Sequence, residues 1–101
     1  MAVTVKDGMR ASGIVTLHSG PGRLLGYQIS HSLATAQAVI FFDGASTAGA
    51  RLMVVYVHPS ACPVYVRFGV PPGKEEGLSF SRGLTVNAGN CEVNVWSIGY
   101  D

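Results

Sequence analysis

The chain has 101 residues, of which only 13% are charged and 48% are hydrophobic, with a formal net charge of +1. That length allows one domain, and the singly scattered Arg10, Arg23, Arg51, Arg67, Lys74 and Arg82 leave no basic stripe for a nucleic-acid backbone. The apolar runs are strand-length, too short to span a bilayer. No charged leader with an apolar run and small-residue cleavage site is read, so secretion is not expected.

Along the chain, strand-like runs are read at 2–6, 13–18, 23–30, 35–42, 51–58, 62–70, 78–81, 84–87 and 91–100. Between them lie Gly8, Gly13, Gly20-Pro21-Gly22, Gly44, Gly49, Pro59, Pro63, Pro71-Pro72-Gly73, Gly83 and Gly89. Turn residues this closely spaced exclude long helices. The expected fold is therefore all-β: a single antiparallel β-sandwich, jelly-roll-like, of about eight short strands.

Period-two alternation sets expected faces. Leu25, Tyr27 and Ile29 oppose Leu24, Gly26, Gln28 and Ser30; Val64, Val66 and Phe68 oppose Tyr65 and Arg67; Val93 and Val95 oppose Trp96 and Ile98. The runs Val39-Ile40-Phe41-Phe42 and Met53-Val54-Val55-Tyr56-Val57 are apolar on both faces, which predicts either a central strand or an outer face covered by another chain. Asp43-Gly44 opens a small-residue hairpin tip, and Pro71 to Gly77 holds the only charge cluster, expected in water. Residues 1–12 alternate weakly and break at Asp7-Gly8; they are expected to form an N-terminal arm or edge strand beside a sandwich domain at 13–101.

Reactive side chains form no recognisable set. His18, His31 and His58 stand far apart at strand ends and are expected at the surface; no short-spaced ligand pair suggests a metal. Ser32, Ser60 and Ser81 lack a nucleophile elbow. Among the carboxylates, Glu75 and Glu76 are adjacent in a loop, Asp43 has a turn role and Asp101 is the last residue, so no pair is expected across a cleft. Gly20-Pro21-Gly22-Arg23 lacks the following helix of a phosphate cradle. Cys62 and Cys91 have no metal spacing and are expected as reduced, largely buried thiols. Neither enzymatic activity nor a cofactor is expected. Tyr27, Tyr56, Tyr65, Trp96 and Tyr100 could form a sugar-binding platform or serve core and subunit contacts.

The segments Gly22-Arg23-Leu24-Leu25-Gly26, Thr35 to Gly44, Ala45 to Gly49 and Leu52-Met53-Val54-Val55, with the later Phe80-Ser81-Arg82-Gly83-Leu84-Thr85-Val86, resemble a pattern in small virion proteins of tailed bacteriophages. The resemblance spans about two-thirds of the chain and leaves out the first dozen residues. It implies a virion structural role, in capsid decoration (cement), a head fibre, or the neck or tail, with no catalytic residue to carry over.

Taken with the low charge, this leads to an expected capsid-surface protein that forms a homo-oligomer, a trimer being favoured, and bridges subunits of a major capsid protein. Phe41, Met53, Val55, Tyr65 and Trp96 are the expected oligomer contacts; Val3, Val5, Lys6 and Arg10 are the expected capsid contacts. The alternatives are a neck or tail-fibre module that binds a host-surface carbohydrate, and a cellular adaptor sandwich.

Overall fold

The computed structural model describes residues 3–11 by their backbone, and residues 13–68 and 77–100 with their side chains. Within these the chain forms nine strands: β1 (Val3–Ala11), β2 (Ile14–His18), β3 (Gly22–Ser30), β4 (Gln37–Asp43), β5 (Ala50–Val57), β6 (Val64–Arg67), β7 (Leu78–Phe80), β8 (Leu84–Asn87) and β9 (Glu92–Tyr100). A 3-10 turn, Pro59–Ala61, follows β5.

The strands form two antiparallel sheets. Sheet A has the order β1-β9-β3-β6, with β7 also paired to β3; sheet B has the order β2-β8-β4-β5. Apart from the β4–β5 hairpin, and counting β6 and β7 as one, each connection crosses from one sheet to the other. That is the strand order of a jelly roll. The two strands β6 and β7 take one place in it. Residues 26–29 of β3 face residues 67–64 of β6, and residues 22–24 face residues 80–78 of β7. The two pieces run in line along the same edge of β3. Just after β6 the Phe68 N–H donates to Leu25 O at 2.9 Å. Just before β7 an Arg23 guanidinium N–H donates to Gly77 O at 2.7 Å. Gly77 has φ 98°, a left-handed conformation that glycine adopts at little cost.

The inner faces of both sheets make one core. Sheet A contributes Leu24, Tyr27, Ile29, Phe80, Val93 and Val95; sheet B contributes Leu17, Val39, Phe41, Val57, Leu84 and Val86. Tyr27 and Phe41 meet across the gap with ring centroids 5.4 Å apart, and the Phe68 ring meets Tyr27 edge-on at 6.1 Å. Burial pushes the Tyr27 phenol pKa up.

Most expected faces agree with this core. Val64, Val66 and Phe68 pack inward while Tyr65 and Arg67 are exposed, and Val93 and Val95 are inside while Trp96 and Ile98 are half-exposed. β3 departs from simple alternation. The pairing of β3 with β9 shifts register between Leu24 and Gly26, so Leu24, rather than Leu25, joins Tyr27 and Ile29 in the core cluster. A bulge adds one residue and turns every later side chain to the other face.

β1 runs antiparallel to β9 at the edge of sheet A, and it continues past Asp7-Gly8 to Ala11. A register shift between Lys6 and Met9 absorbs the expected break. Val3, Val5, Lys6 and Arg10 lie on this strand; their side chains fall outside the described residues.

One expected oligomer contact, Phe41, needs correction, while Met53 and Val55 are only partly buried. Phe41 is 0% exposed at the centre of the core, and Met53 and Val55 pack against that core from the sheet-B edge. The hydrophobic run that made these residues candidates for an outer surface alternates inward and outward on a single sheet, and they hold the inward positions. Phe41→Ala should therefore destabilise the single chain by about 3–5 kcal/mol, a large part of the stability of a domain this size. Urea unfolding at two protein concentrations checks this: the loss should be the same at both, as it should be for a residue internal to one chain.

Candidate functional site

Three polar clusters stand apart from the core. The first ties the ends of the strands together. Asp43, the last residue of β4, accepts hydrogen bonds from the Ser81 N–H (3.0 and 3.1 Å), the Ser81 hydroxyl (3.1 Å) and the Arg82 N–H (2.7 Å). Nearby, the Gly44 N–H donates to Gly83 O at 3.1 Å, and the Thr85 hydroxyl donates to Gly44 O at 2.8 Å. Partial burial of the Asp43 carboxyl pushes its pKa up. The backbone and hydroxyl donors of residues 81–83 outweigh that effect and hold it below the usual value of 3.8. Asp43 is thus more than the turn former expected from the sequence. It clamps the β7–β8 turn to the β4–β5 hairpin.

The second cluster surrounds His18. Its Nε2 shares a hydrogen bond of 2.8 Å with the Ser97 hydroxyl, and its ring stacks on Phe80 with centroids 5.7 Å apart. Ser97 is fully buried and His18 is buried as well, so the expectation of a surface histidine does not hold here. The strand end places His18 at the mouth of the sandwich, and Gly99 of β9 leaves room for its ring: a Cβ at position 99 would collide with the imidazole. A His–Ser pair of this kind can exchange a proton. The Ser97 hydroxyl and the Phe80 ring hold the imidazole in place.

The third cluster is an open cavity of about 410 Å³ at the end of the sandwich where the β3–β4 connection meets the β8–β9 turn. Ser30, His31, Ser32, Asn90 and Glu92 line it. The Leu33 N–H donates to His31 Nδ1 at 3.2 Å, so Nδ1 carries the lone pair. Nε2 must then carry the proton, which it donates to Val57 O at 2.8 Å. Both ring nitrogens are engaged, and the imidazole is a fixed wall of the cavity. His58, by contrast, is exposed beside the 3-10 turn, and its carbonyl accepts from the Ala61 N–H.

The thiols offer no better nucleophile. Cys62 and Cys91 are both free, and burial, with a smaller push from the neighbouring Cys62, raises the Cys91 pKa. A thiol shifted upward is mostly protonated near neutral pH and reacts slowly. Among the described residues, no three His, Cys, Asp or Glu side chains stand together in a way that could hold a metal ion.

The expected contact residues Tyr65 and Trp96 do come together. They lie on the outer face of sheet A, on β6 and β9, with their rings edge to face at 5.6 Å; Tyr65 is 55% exposed. Of the other aromatic residues, Tyr27 is in the core and Tyr56 stands 72% exposed on sheet B. The outer face of sheet B carries a row that sequence reasoning did not single out. Ile14, Asn87, Ile40 and Val54 stand opposite one another across β2, β8, β4 and β5. Ile14 is 62% exposed, and Ile40 and Val54 are half-buried. For Ile40 and Val54 the double-sided apolar runs were the available signal. Which residues of those runs face outward depends on register.

The Asp43 clamp predicts a definite dependence on pH. A carboxyl whose folded pKa lies below its unfolded value stabilises the fold fully above about pH 3.8, and that contribution disappears as pH falls through the lower folded value. Asp43→Ala should cost about 1–2 kcal/mol at pH 7. The gap from the parent chain should narrow below about pH 4, measured by urea unfolding across that range. Compared with family models, with curated proteins and with solved structures, the chain matches none, so its functional reading rests on the arrangement described above.

Proposed function

We propose that this chain is a non-enzymatic structural protein of a tailed-bacteriophage virion: a capsid decoration protein that assembles with copies of itself and bridges subunits of the capsid lattice. The observation that carries the assembly reading is the outer face of sheet B. There Ile14, Ile40 and Val54, with Asn87 between the first two, form a mainly apolar row that no other part of the described chain covers, with Tyr56 exposed beside it. The β4–β5 loop covers only one end of this face, where the Thr16 hydroxyl donates to Ala45 O at 3.1 Å and Thr85 bonds to Gly44 O.

Two further features favour a second copy as the occupant. β5 ends sheet B, and among the described residues its outer backbone edge has no partner strand. A strand of eight residues containing a single charge, Arg51, is suited to pairing with a like strand. The face is also uncharged where the row crosses it, so two copies can meet there without burying an unpaired ion. This reading moves the proposed oligomer contact from Phe41, Met53 and Val55 to the outward residues Ile14, Ile40, Val54 and Tyr56. Polar groups tied up in structural hydrogen bonds, His31 and Asp43 above all, fit a role without catalysis.

A decoration protein stabilises a capsid because it binds only the assembled lattice. At a hundredfold excess over the dissociation constant the shift is about 2.7 kcal/mol for each site. Many weak contacts acting together make the coat persistent.

Native mass measurement of the full chain tests the assembly step, and incubation with capsids that lack the protein tests the virion role. A trimer that coats such capsids and raises their dissociation temperature is the expected result. Ile14→Lys and Val54→Lys should shift the mass to monomer with an unchanged circular dichroism spectrum and abolish coating. A parent chain that stays monomeric at high concentration and ignores capsids would overturn the proposal.

A further inference from the structure

We infer that the polar cavity at the end of sheet A, together with the Tyr65–Trp96 pair beside it, is a binding site for a neutral saccharide. The inference uses the sheet opposite the proposed assembly face and stands independently of it. Strand register places the parts side by side. On the outer face of sheet A, Glu92 stands opposite Ser30. The next outward row holds Asn94, Gln28 and Tyr65, and the row after that holds Trp96, Gly26 and Arg67. Cavity and aromatic pair therefore form one continuous strip, since same-face neighbours on adjoining rows lie within side-chain reach.

The chemistry of the strip matches a sugar. The cavity, at about 410 Å³, has the volume of a small-ligand site, and all five lining residues are polar. Two hydroxyls and an amide can give and take hydrogen bonds from several ligand hydroxyls, beside a carboxylate and an imidazole whose ring nitrogens are already engaged. Within the described residues the Ser30 and Ser32 hydroxyls and the Asn90 amide make no side-chain hydrogen bond. The wall is preorganised, because the two hydrogen bonds of His31 fix its ring. Gln28 and Asn94 extend the polar set toward Tyr65. There the exposed ring offers a flat apolar surface to the C–H face of a pyranose, and Trp96 holds it edge-on. Among the described residues lining the cavity, the charged group is the Glu92 carboxylate, which disfavours an acidic sugar.

Trp96 is the only tryptophan in the chain, so its fluorescence reports on this strip directly. The full chain should be titrated with glucose, galactose, mannose, N-acetylglucosamine and lactose, and with sialyllactose as the anionic counterpart. Concentrations up to about 100 mM would saturate even a site with a Kd of about 10 mM. At least one neutral probe should give a saturable change, with sialyllactose weaker than lactose. Tyr65→Ala should weaken binding about tenfold. Ser30→Ala, which leaves the aromatic pair intact, should also weaken it, and both variants should keep the parent circular dichroism spectrum. Val54→Lys should bind as the parent does whatever its oligomeric state, which separates this inference from the assembly reading. No saturable response to any neutral probe, or equal binding by the Tyr65→Ala variant, would overturn it.

Discussion

The fold depends on contact between two rings. Tyr27 of β3 and Phe41 of β4 are close neighbours in sequence terms, on consecutive strands, yet they belong to opposite sheets and meet across the gap between them. Two antiparallel sheets of this size have too little apolar surface to stand apart, and each buries its inner face only against the other. Leu24, Ile29, Val93 and Val95 on one side and Val39, Val57, Leu84 and Val86 on the other pack around the central pair in one core. The outer faces carry whatever remains.

What remains differs between the sheets, and that difference frames the functional reading. Outside sheet B an uncharged row runs from Ile14 through Asn87 and Ile40 to Val54. Outside sheet A, aromatic, amide and carboxyl groups adjoin an open polar cavity. The first surface loses solvation at little cost when another apolar surface covers it. The second is the face on which we propose that a saccharide binds. The jelly-roll order separates the two proposed faces by the full thickness of the core.

Individual residues show where reading the sequence succeeds and where it stops. The β6 faces were legible because Val64, Val66 and Phe68 alternate cleanly with Tyr65 and Arg67. Alternation failed in β3, where the extra residue near Leu25 leaves no mark in the residue pattern. Phe41 looked like a surface candidate because Val39-Ile40-Phe41-Phe42 is apolar throughout, and such a run does not say which of its residues face inward. His18 and Ser97 are 79 positions apart. Nothing local in either segment announces that β2 and β9, on different sheets, bring them together.

The sequence by itself determined that the chain forms short antiparallel strands in a single sandwich. Turn residues recur too often for helices, and period-two hydrophobicity is a local property that each segment carries unaided. Only the tertiary structure decided the register. It set which leucine of β3 enters the core, which apolar residues of β4 and β5 stay outside, and how Asp43 clamps a turn almost forty residues away. Cross-strand pairing is settled by the whole packed core at once, and a shift of one residue exchanges the buried face for the exposed one.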